Sequence, residues 1–375
     1  MKTERGQVPA ANRRRVLILN ATYAVGGAER NLQLLALHLC SRLDMHVCSL
    51  YPPGEIGEQI REAGIPFHAL YGQSRTDWRV LPRFLSLLRH IRPEVLLTVD
   101  APVAVLYAVL AKRLKLAHRL VIAVHSFGKT KRTREMAFAR RFAAGATDVL
   151  IALTESHRRF LLEQEGWQAR EVVVIPNGVD LQRFTPEGDK LREQWGISPH
   201  TPAFGVVAAL RPEKNLFRFL RVAQRVLLVL PEASAFVVGD GEMRHDLQTS
   251  SQQMECASRI VFTGALHDIP AVWRSLDVAV LTSDTEVLPM TLIEAAACAV
   301  PAVSTDVGAV RYVVLDRRTG FVVPVDDEDA LAERILYLLR HPEERRTMGK
   351  RAREHAEANF DLHQMVERYA QVLSL

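Results

Sequence analysis

Residues 278–306 read VAVLTSDTEVLPMTLIEAAACAVPAVSTD, in which an apolar run passes through a polar loop into an alanine-rich run and then into a third run. β-Branched residues in the first and last runs predict two buried strands, and Pro289 suits the start of a helix between them. Parallel strands need such a crossover helix. The stretch therefore predicts an α/β fold with a parallel sheet. It places Glu286 and Glu294 beyond the carboxyl end of a strand, where open sheets bind ligands.

The same alternation of β-branched runs and amphipathic segments extends over the whole chain of 375 residues. The strand series stops near residue 175 and starts again near residue 203, which predicts two Rossmann-like domains with parallel sheets. In the first half we predict strands at 16–20, 46–51, 95–99, 120–125, 149–153 and 172–175. In the second half we predict them at 203–208, 235–238, 260–263, 278–282, 302–305 and 321–323.

Prolines, Asn177 and Gly178 interrupt the periodicity between residues 176 and 186, where we expect the domain boundary. The predicted domains are an N-terminal one over 1–180 and a C-terminal one over 181–358. Residues 359–375 predict a C-terminal helix that returns to the N-terminal domain, because their apolar stripe needs a surface to cover. The stripe consists of Leu362, Met365, Val366, Tyr369, Val372 and Leu373.

The composition, 48% hydrophobic and 24% charged, is typical of a soluble globular protein. No stretch reaches the roughly 18 uncharged apolar residues of a spanning helix, and the amino-terminal apolar run is too short for a secretion signal. The four cysteines, Cys40, Cys48, Cys256 and Cys298, lie in apolar segments without metal-ligand spacing. We therefore expect reduced core cysteines and a cytoplasmic location.

The formal charge of +5 is unevenly distributed, with 26 Lys and Arg against 16 Asp and Glu in residues 1–180, and 22 against 27 in residues 181–375. Residues 112–141 hold ten basic residues and one acid, Glu135. A charge run is usually a solvated face. The basic residues are Lys112, Arg113, Lys115, Arg119, Lys129, Lys131, Arg132, Arg134, Arg140 and Arg141.

Several polar residues could bind a ligand, and each also has an ordinary structural interpretation. A glutamate near a helix start, such as Glu286 or Glu294, complements the helix dipole, and Lys214 could be a solvated lysine. Gly26 and Gly27 follow a predicted strand and suit either a plain turn or the close approach of a ligand. His125 at a strand end could be a hydrogen-bonded core histidine. Residues 326–329 could hold a metal, but acids before an apolar helical run favour a helix cap.

The pair Glu286 and Glu294, followed by Ala-Cys-Ala-Val-Pro-Ala-Val, resembles the Glu-x7-Glu motif of the retaining glycosyltransferases of family 4. That family has the GT-B fold of two facing Rossmann-like domains. Six further segments follow in the family's order: 26–30, 175–180, 211–215, 238–241, 261–264 and 319–324.

The resemblance implies that Glu294 bonds the ribose of a nucleotide, that Glu286 and His125 contact the donor sugar, and that Lys214 neutralises the leaving diphosphate. These would be the catalytic residues Glu286, His125 and Lys214, in chemistry that needs no metal or other cofactor. The resemblance also implies donor binding by eight other residues, which are Gly26, Gly27, Arg211, Gly264, Leu288, Pro289, Met290 and Thr291. Backbone amides of residues 288–291 would hold sugar and phosphate oxygens.

Three positions depart from the family's pattern. Ala209 stands where the family has a diphosphate-binding arginine, with Arg211 two residues later; Val287 stands where it has glycine, and Tyr312 where it has glutamate. Two alternatives therefore stay open besides a transferase. They are a nucleotide-sugar epimerase or phosphorylase on the same fold, and a noncatalytic nucleotide-sugar-binding relative.

We expect a retaining glycosyltransferase that moves a sugar from a UDP- or GDP-linked donor to an acceptor hydroxyl in lipid-linked or cell-surface glycan synthesis. The donor would bind the C-terminal domain, and the acceptor the basic N-terminal one. The basic segment favours a lipid-linked acceptor and peripheral contact with the anionic inner face of the membrane. No nucleic-acid motif accompanies it, so we expect no nucleic-acid partner.

Overall fold

The computed structural model describes residues 13–24, 26–74, 77–126 and 133–374. The chain forms two compact units. The first runs to Asn177 and takes up His363–Leu375, and the second is Gly178–Leu362. The predicted boundaries, after residues 180 and 358, differ from these by three and four residues.

The first unit contains a parallel sheet of seven strands in the order β3-β2-β1-β4-β5-β6-β7. The strands are β1 (Arg15–Asn20), β2 (Asp44–Ser49), β3 (Phe67–Ala69), β4 (Val95–Val99), β5 (Arg119–Ala123), β6 (Val149–Ala152) and β7 (Glu171–Val174). The helices are α1 (Gly27–Leu39), α2 (Gly54–Glu62), α3 (Val80–Ile91), α4 (Pro102–Arg113), α5 (Thr133–Ala143) and α6 (Glu155–Arg159), which continues as a π-helical turn over Phe160–Gln164. Six of the seven strands were predicted to within two residues at each end. The short edge strand β3 was missed because three half-buried residues carry little periodicity.

The second unit contains a parallel sheet of six strands in the order β10-β9-β8-β11-β12-β13. They are β8 (Ala203–Val207), β9 (Ser234–Val238), β10 (Ile260–Gly264), β11 (Val278–Leu281), β12 (Ala302–Thr305) and β13 (Gly320–Val323). The helices are α7 (Leu216–Val229), α8 (Arg244–Gln252), α9 (Ile269–Ser275), α10 (Met290–Ala297), α11 (Val310–Val313), α12 (Glu328–Arg340) and α13 (Pro342–Asn359), with 3-10 turns at Pro212–Lys214 and Ala257–Arg259. All six strands lie within one residue of their predicted bounds. Two parallel Rossmann-like sheets confirm the predicted fold class.

The last helix, α14 (Leu362–Ser374), confirms the predicted return of the chain. All six residues of its apolar stripe are buried. In the first unit its His363 ring meets His38 of α1 edge-on at 5.7 Å, and Glu367 pairs with Arg42. The apolar stripe thus buries against the first unit, although the helix follows the second in sequence.

The two chain connections between the units pair with each other. The Val179 amide donates to the Phe360 carbonyl at 2.8 Å, and the Leu362 amide donates to the Val179 carbonyl at 3.1 Å. A Cβ atom on Gly178 would lie 2.7 Å from the Leu362 Cα, so only glycine fits without a backbone shift. The glycine that marked the boundary in the sequence is therefore required by this close approach.

Gly239 performs a similar function at the carboxyl end of the second sheet. Its φ is +133°, and an added Cβ would lie 1.9 Å from the Ala208 carbonyl oxygen. Next to it, the Leu210 amide donates to the Asp240 carbonyl at 2.9 Å. The loop after β9 thus holds the segment that leads from β8 to Lys214.

Three of the four cysteines lie in the core. Cys48, Cys256 and Cys298 are buried, but Cys40 is exposed at the end of α1, so its assignment to the core was wrong. In the part of the chain that the structure describes, every helix is too short or too polar to cross a bilayer. Asp327 confirms the predicted cap, since its carboxylate accepts from the Ala330 amide at 2.9 Å.

We expect Gly239→Ala to destabilise the second unit more than Gly196→Ala does. Gly196 also has a positive φ, +68°, but nothing lies within 4 Å of its Cβ position, so it reports the backbone penalty alone. Overpacking against backbone typically adds about 1–3 kcal/mol. Thermal unfolding of both variants measures the difference, and equal losses in melting temperature would contradict the steric argument.

Candidate functional site

Glu286 lies in the loop between β11 and α10 and contacts Lys214 directly. Its Oε1 accepts from the Lys214 ammonium at 2.6 Å and from the Ser283 hydroxyl at 2.7 Å. The Glu286 side chain is 10% exposed and that of Lys214 is 25% exposed. Two residues that the sequence selected from motifs 72 positions apart therefore form one ion pair that a ligand can reach.

The contact follows from sheet topology. β8 pairs with β11, although β9 and β10 lie between them in sequence. The direction in which the chain adds strands reverses here, and such a switch point is where open α/β sheets bind their ligands. Lys214 closes the 3-10 turn after β8, and Glu286 lies in the loop after β11. The ion pair thus lies at the switch point of the second sheet.

Glu294 is the fifth residue of α10 and is half-buried. The indole of Trp273 on α9, itself fully buried, donates to its Oε2 over 3.5 Å. Sequence reasoning missed Trp273, because a tryptophan in an amphipathic helix is ordinarily interpreted as a core residue without a further role. The long bond contacts one of the two carboxylate oxygens of Glu294.

The start of α10 corrects one predicted role. Pro289 is the N-cap residue, and no side chain among the described residues caps this helix end. Proline has no N–H, so the proposed amide donors reduce to Leu288, Met290 and Thr291. Leu288 and Pro289 are buried, whereas Met290 and Thr291 are half-buried. The first turn nevertheless keeps the positive end of the helix dipole next to the Glu286 loop.

Arg211 and Gly264, the remaining predicted residues of the second unit, lie at the same carboxyl end of the sheet. Arg211 is exposed in extended backbone one residue before the Pro212–Lys214 turn. Gly264 ends β10 with a φ of +75°, and its carbonyl accepts from the Gly239 amide at 2.9 Å. Since β10, β9 and β8 are successive neighbours, Gly264 lies two strands from the strand that leads to Lys214.

Two of the departures from the family pattern have structural contacts of their own. Val287 is buried, and its carbonyl accepts from the Ala309 amide at 2.9 Å. The Tyr312 ring packs edge-on against Phe360 at 5.5 Å, and the Tyr312 carbonyl contacts the His355 Nε2 at 2.9 Å. Both side chains thus contribute to packing within the second unit.

Gly26, Gly27 and His125 lie in the first unit. Gly26 is the N-cap of α1 with an extended backbone, φ −170°, and Gly27 begins the helix. His125 lies two residues beyond the end of β5 rather than in the strand, as was predicted. Its amide donates to the Asp100 carboxylate at 2.9 Å. Sequence reasoning did not identify Asp100 as this partner, although it is the lone acid after an apolar strand.

A second histidine, His157, lies near His125 and is fully buried. Its amide donates to the Thr154 side chain at 3.1 Å, and its Nδ1 accepts from the Leu153 amide at 3.3 Å, so the proton lies on Nε2. Burial lowers the pKa of His157 to about 4, against the opposing charge of Asp100. Burial also lowers the pKa of His125. Both imidazoles are therefore neutral at pH 7.

We expect His157 to make the protein less stable in acid. The unfolded chain protonates this histidine near its ordinary pKa of 6.5, whereas the folded protein does so near pH 4. Between these values the unfolded state binds more protons, so stability decreases as the pH falls, by up to about 3 kcal/mol in total. His157→Gln should show a smaller drop in melting temperature between about pH 7 and about pH 5. Equal drops in both proteins would show that His157 is not responsible.

The basic segment 112–141 is partly neutralised by acids from elsewhere in the first unit. Lys112 pairs with Asp148 at 2.6 Å, Arg119 with Glu171 at 3.7 Å, and Arg140 with Glu165 at 3.1 Å. Lys129, Lys131, Arg132 and the side chain of Arg134 lie outside the described residues. Arg113, Lys115 and Arg141 are exposed. The surface charge is therefore smaller than the sequence count indicates.

Two family models match successive parts of the chain. The model described as Glycosyltransferase Family 4 matches residues 25–183, and the one described as Glycosyl transferases group 1 matches residues 187–355. Together they cover both units almost completely.

Relatives of known name share a quarter to a third of the residues. An Escherichia coli UDP-Gal:alpha-D-GlcNAc-diphosphoundecaprenol alpha-1,3-galactosyltransferase is 27% identical over 265 residues, 68% of each chain. A Mycolicibacterium smegmatis GDP-mannose-dependent alpha-(1-6)-phosphatidylinositol monomannoside mannosyltransferase is 30% identical over 212 residues, 53% of this chain and 55% of the relative. The matched segments thus span between about half and two thirds of these relatives.

Solved structures share the fold. Anabaena Alr3699/HepE in complex with UDP and glucose superposes with a TM-score of 0.86 at 21% identity, over 96% of this chain and 100% of that one. WaaG, a glycosyltransferase involved in lipopolysaccharide biosynthesis, gives a TM-score of 0.76 at 16% identity, over 96% and 99%.

Proposed function

Since the chain belongs to glycosyltransferase family 4 and has the GT-B fold, we propose that it transfers a sugar, with retention of configuration, from a UDP- or GDP-linked donor to an acceptor hydroxyl. The observation that carries the proposal is the contact between Lys214 and Glu286 at the switch point of the second sheet. It joins a cation suited to a diphosphate with a carboxylate suited to sugar hydroxyls.

Lys214 is proposed to stabilise the leaving diphosphate, whose negative charge grows as the bond to the sugar breaks. A fixed cation in a partly desolvated site lowers the free energy of that transition state more than it would in water. Glu286 holds the ammonium through one of its three N–H donors and leaves the others for phosphate oxygens. The carboxylate also prevents the lysine from extending into solvent, so little reorganisation is needed when donor binds.

Glu294 and the first turn of α10 are proposed to bind the rest of the nucleotide. The half-buried carboxylate of Glu294, which accepts from the Trp273 indole, is proposed to accept from the ribose hydroxyls. The amides of Met290 and Thr291 belong to the first turn of α10, and that of Leu288 lies just before it; a helix start favours phosphate oxygens. For Gly26, Gly27 and His125, the proposed contacts with donor rest on the sequence resemblance alone.

The acceptor is proposed to be a lipid-linked glycan bound by the first domain. The names of the Escherichia coli and mycobacterial relatives describe a diphosphoundecaprenol-linked and a phosphatidylinositol-linked acceptor. Exposed Arg113, Lys115 and Arg141 support peripheral attachment to the anionic inner face of the membrane, by about 1 kcal/mol for each cation near the surface. Donor binding belongs to the second domain.

We expect Lys214→Ala to weaken binding of UDP or GDP by roughly 10- to 100-fold, because a charge-assisted contact to phosphate contributes about 1.5–3 kcal/mol. Lys190→Ala is the control, since this exposed lysine belongs to the same unit and precedes β8 rather than following it. Titration calorimetry of each protein with UDP and with GDP measures the difference. Unchanged affinity in Lys214→Ala would remove the lysine from the donor site.

We expect Glu294→Ala to discriminate between ligands with and without ribose hydroxyls. The variant should lose about 10-fold in affinity for UDP or GDP, whichever wild type prefers, and little for the matching 2′,3′-dideoxy diphosphate. An equal loss for both would assign Glu294 to another part of the ligand. A second measurement incubates wild type with the donor sugar nucleotide alone. An epimerised sugar nucleotide formed without acceptor would show that the protein is an epimerase rather than a transferase.

A further inference from the structure

Arg218 is a buried arginine in the first turn of α7 that no motif marks. Its side chain is 8% exposed. The guanidinium donates to the Thr282 carbonyl at 2.8 Å and to the Asp284 carboxylate at 2.7 Å. Both acceptors belong to the loop that carries Glu286. Arg218 therefore reaches from the helix after Lys214 to the loop after β11.

Asn215 completes a closed set of hydrogen bonds with Arg218 and Asp284. Its amide group donates to both Asp284 oxygens, at 3.0 and 3.1 Å, and its Oδ1 accepts from the Arg218 amide at 3.3 Å. Asn215 has a φ of +44° and a ψ of +55°, in the left-handed region that asparagine adopts more readily than most residues with a Cβ. The chain adopts this conformation immediately after Lys214.

Two further hydrogen bonds to backbone carbonyls connect the same two loops. The Thr282 hydroxyl donates to the Lys214 carbonyl at 3.2 Å, and the Asp284 amide donates to the Glu213 carbonyl at 3.0 Å. We call Asn215, Arg218, Thr282 and Asp284 the Arg218 clamp. The clamp fixes the backbone on both sides of the Lys214–Glu286 ion pair.

Folding alone does not explain this arrangement. Removing a guanidinium from water costs several kcal/mol, and the neighbours of Arg218 on α7 are buried apolar residues such as Phe219 and Leu220. An apolar side chain would fill the position at lower cost. A planar guanidinium instead fixes two acceptors at defined angles, which specifies geometry rather than maximising stability.

We propose that Arg218 is a positioning residue for diphosphate binding, which acts through Asp284 and Asn215 to hold Lys214 at its place in the donor site. This inference rests on the proposed function. Arg218 itself does not touch the ligand in this account, because its Nη1 bonds Thr282 and Asp284 and its Nη2 lies 3.7 Å from the Asp326 carboxylate.

The test compares Arg218→Met with Arg192→Met. Arg192 is a matched control: its side chain is 10% exposed, and its guanidinium donates to the Thr201 carbonyl at 2.7 Å and to Asp277 at 2.9 Å. Asp277 precedes β11, so this cluster lies at the amino ends of the strands, whereas the candidate site lies at their carboxyl ends. Both variants remove one buried guanidinium that bonds a carboxylate and backbone carbonyls, one carbonyl for Arg218 and two, those of Pro199 and Thr201, for Arg192.

We expect Arg218→Met to weaken UDP or GDP binding about 10-fold or more, because misplacing a binding group by about 1 Å can cost that much. Arg192→Met should bind within about twofold of wild type, with a similar loss in melting temperature. Arg218→Lys should recover only part of the affinity, since an ammonium keeps the charge but not the planar group that places Nη1 between the Thr282 carbonyl and Asp284. If Arg218→Met binds nucleotide as tightly as Arg192→Met does, the positioning role is overturned.

Amide exchange of the Asp284 N–H gives a readout that needs no nucleotide. Loss of the clamp should accelerate this exchange in Arg218→Met and in Asp284→Asn but leave it unchanged in Arg192→Met. Asp284 is 48% exposed, so Asp284→Asn decides the matter if Arg218→Met does not fold. Unchanged exchange together with unchanged affinity in Asp284→Asn would likewise reject the clamp.

The two proposals fail in different ways. Wild-type protein that binds neither UDP nor GDP would reject the proposed function, and the positioning role with it, even if exchange at Asp284 shows that the clamp exists. Wild-type binding with unaffected Arg218 and Asp284 variants would leave the function standing and reject the clamp alone.

Discussion

The lateral pairing of β8 with β11 is the constraint on which the candidate site depends. Val278 pairs with Phe204 and Ala279 with Gly205, and a Cβ on Gly205 would lie 2.6 Å from the Phe236 carbonyl oxygen on the next strand. With these strands adjacent, the loops that follow them must meet, although the chain makes two further strands in between. The Lys214–Glu286 contact is a consequence of this topology.

Much of the fold could be predicted from the sequence, because parallel strands buried on both faces appear as short β-branched runs that few other structures produce. The C-terminal helix could also be predicted, because its apolar residues recur with helical spacing and need a surface to cover. β3 could not be predicted, since it is stabilised by its neighbour β2 rather than by its own pattern. His125 was placed in a strand because its apolar neighbours continue past Ala123, where the ladder ends.

The site was less predictable than the fold. Motif spacing selected Glu286, Glu294 and Lys214, but the residues that hold them carry no such signal. Arg218 occurs in an amphipathic helix where an arginine is ordinarily solvated, and only the fold reveals that this position faces inward. Trp273 and Asp100 were hidden in the same way, since their importance arises from partners distant in sequence.

The two units each have a hydrogen-bonded carboxylate just beyond the strand that follows the switch point. β4 and β11 are each the first strand beyond the switch point of their sheet, next to β1 and β8 respectively. Asp100, directly after β4, accepts from the amides of His125 and Ser126, at 2.9 and 3.0 Å. Asp284, shortly after β11, accepts from Arg218 and Asn215. In each case a carboxylate outside the end of that strand binds donors from a neighbouring loop or helix.

Loops at a switch point lose the backbone pairing that strands provide, so a charged acceptor with several donors is a direct way to restore their rigidity. The carboxylates that shape these edges thus differ from those proposed to bind the substrate, and the geometry of the site depends on both sets.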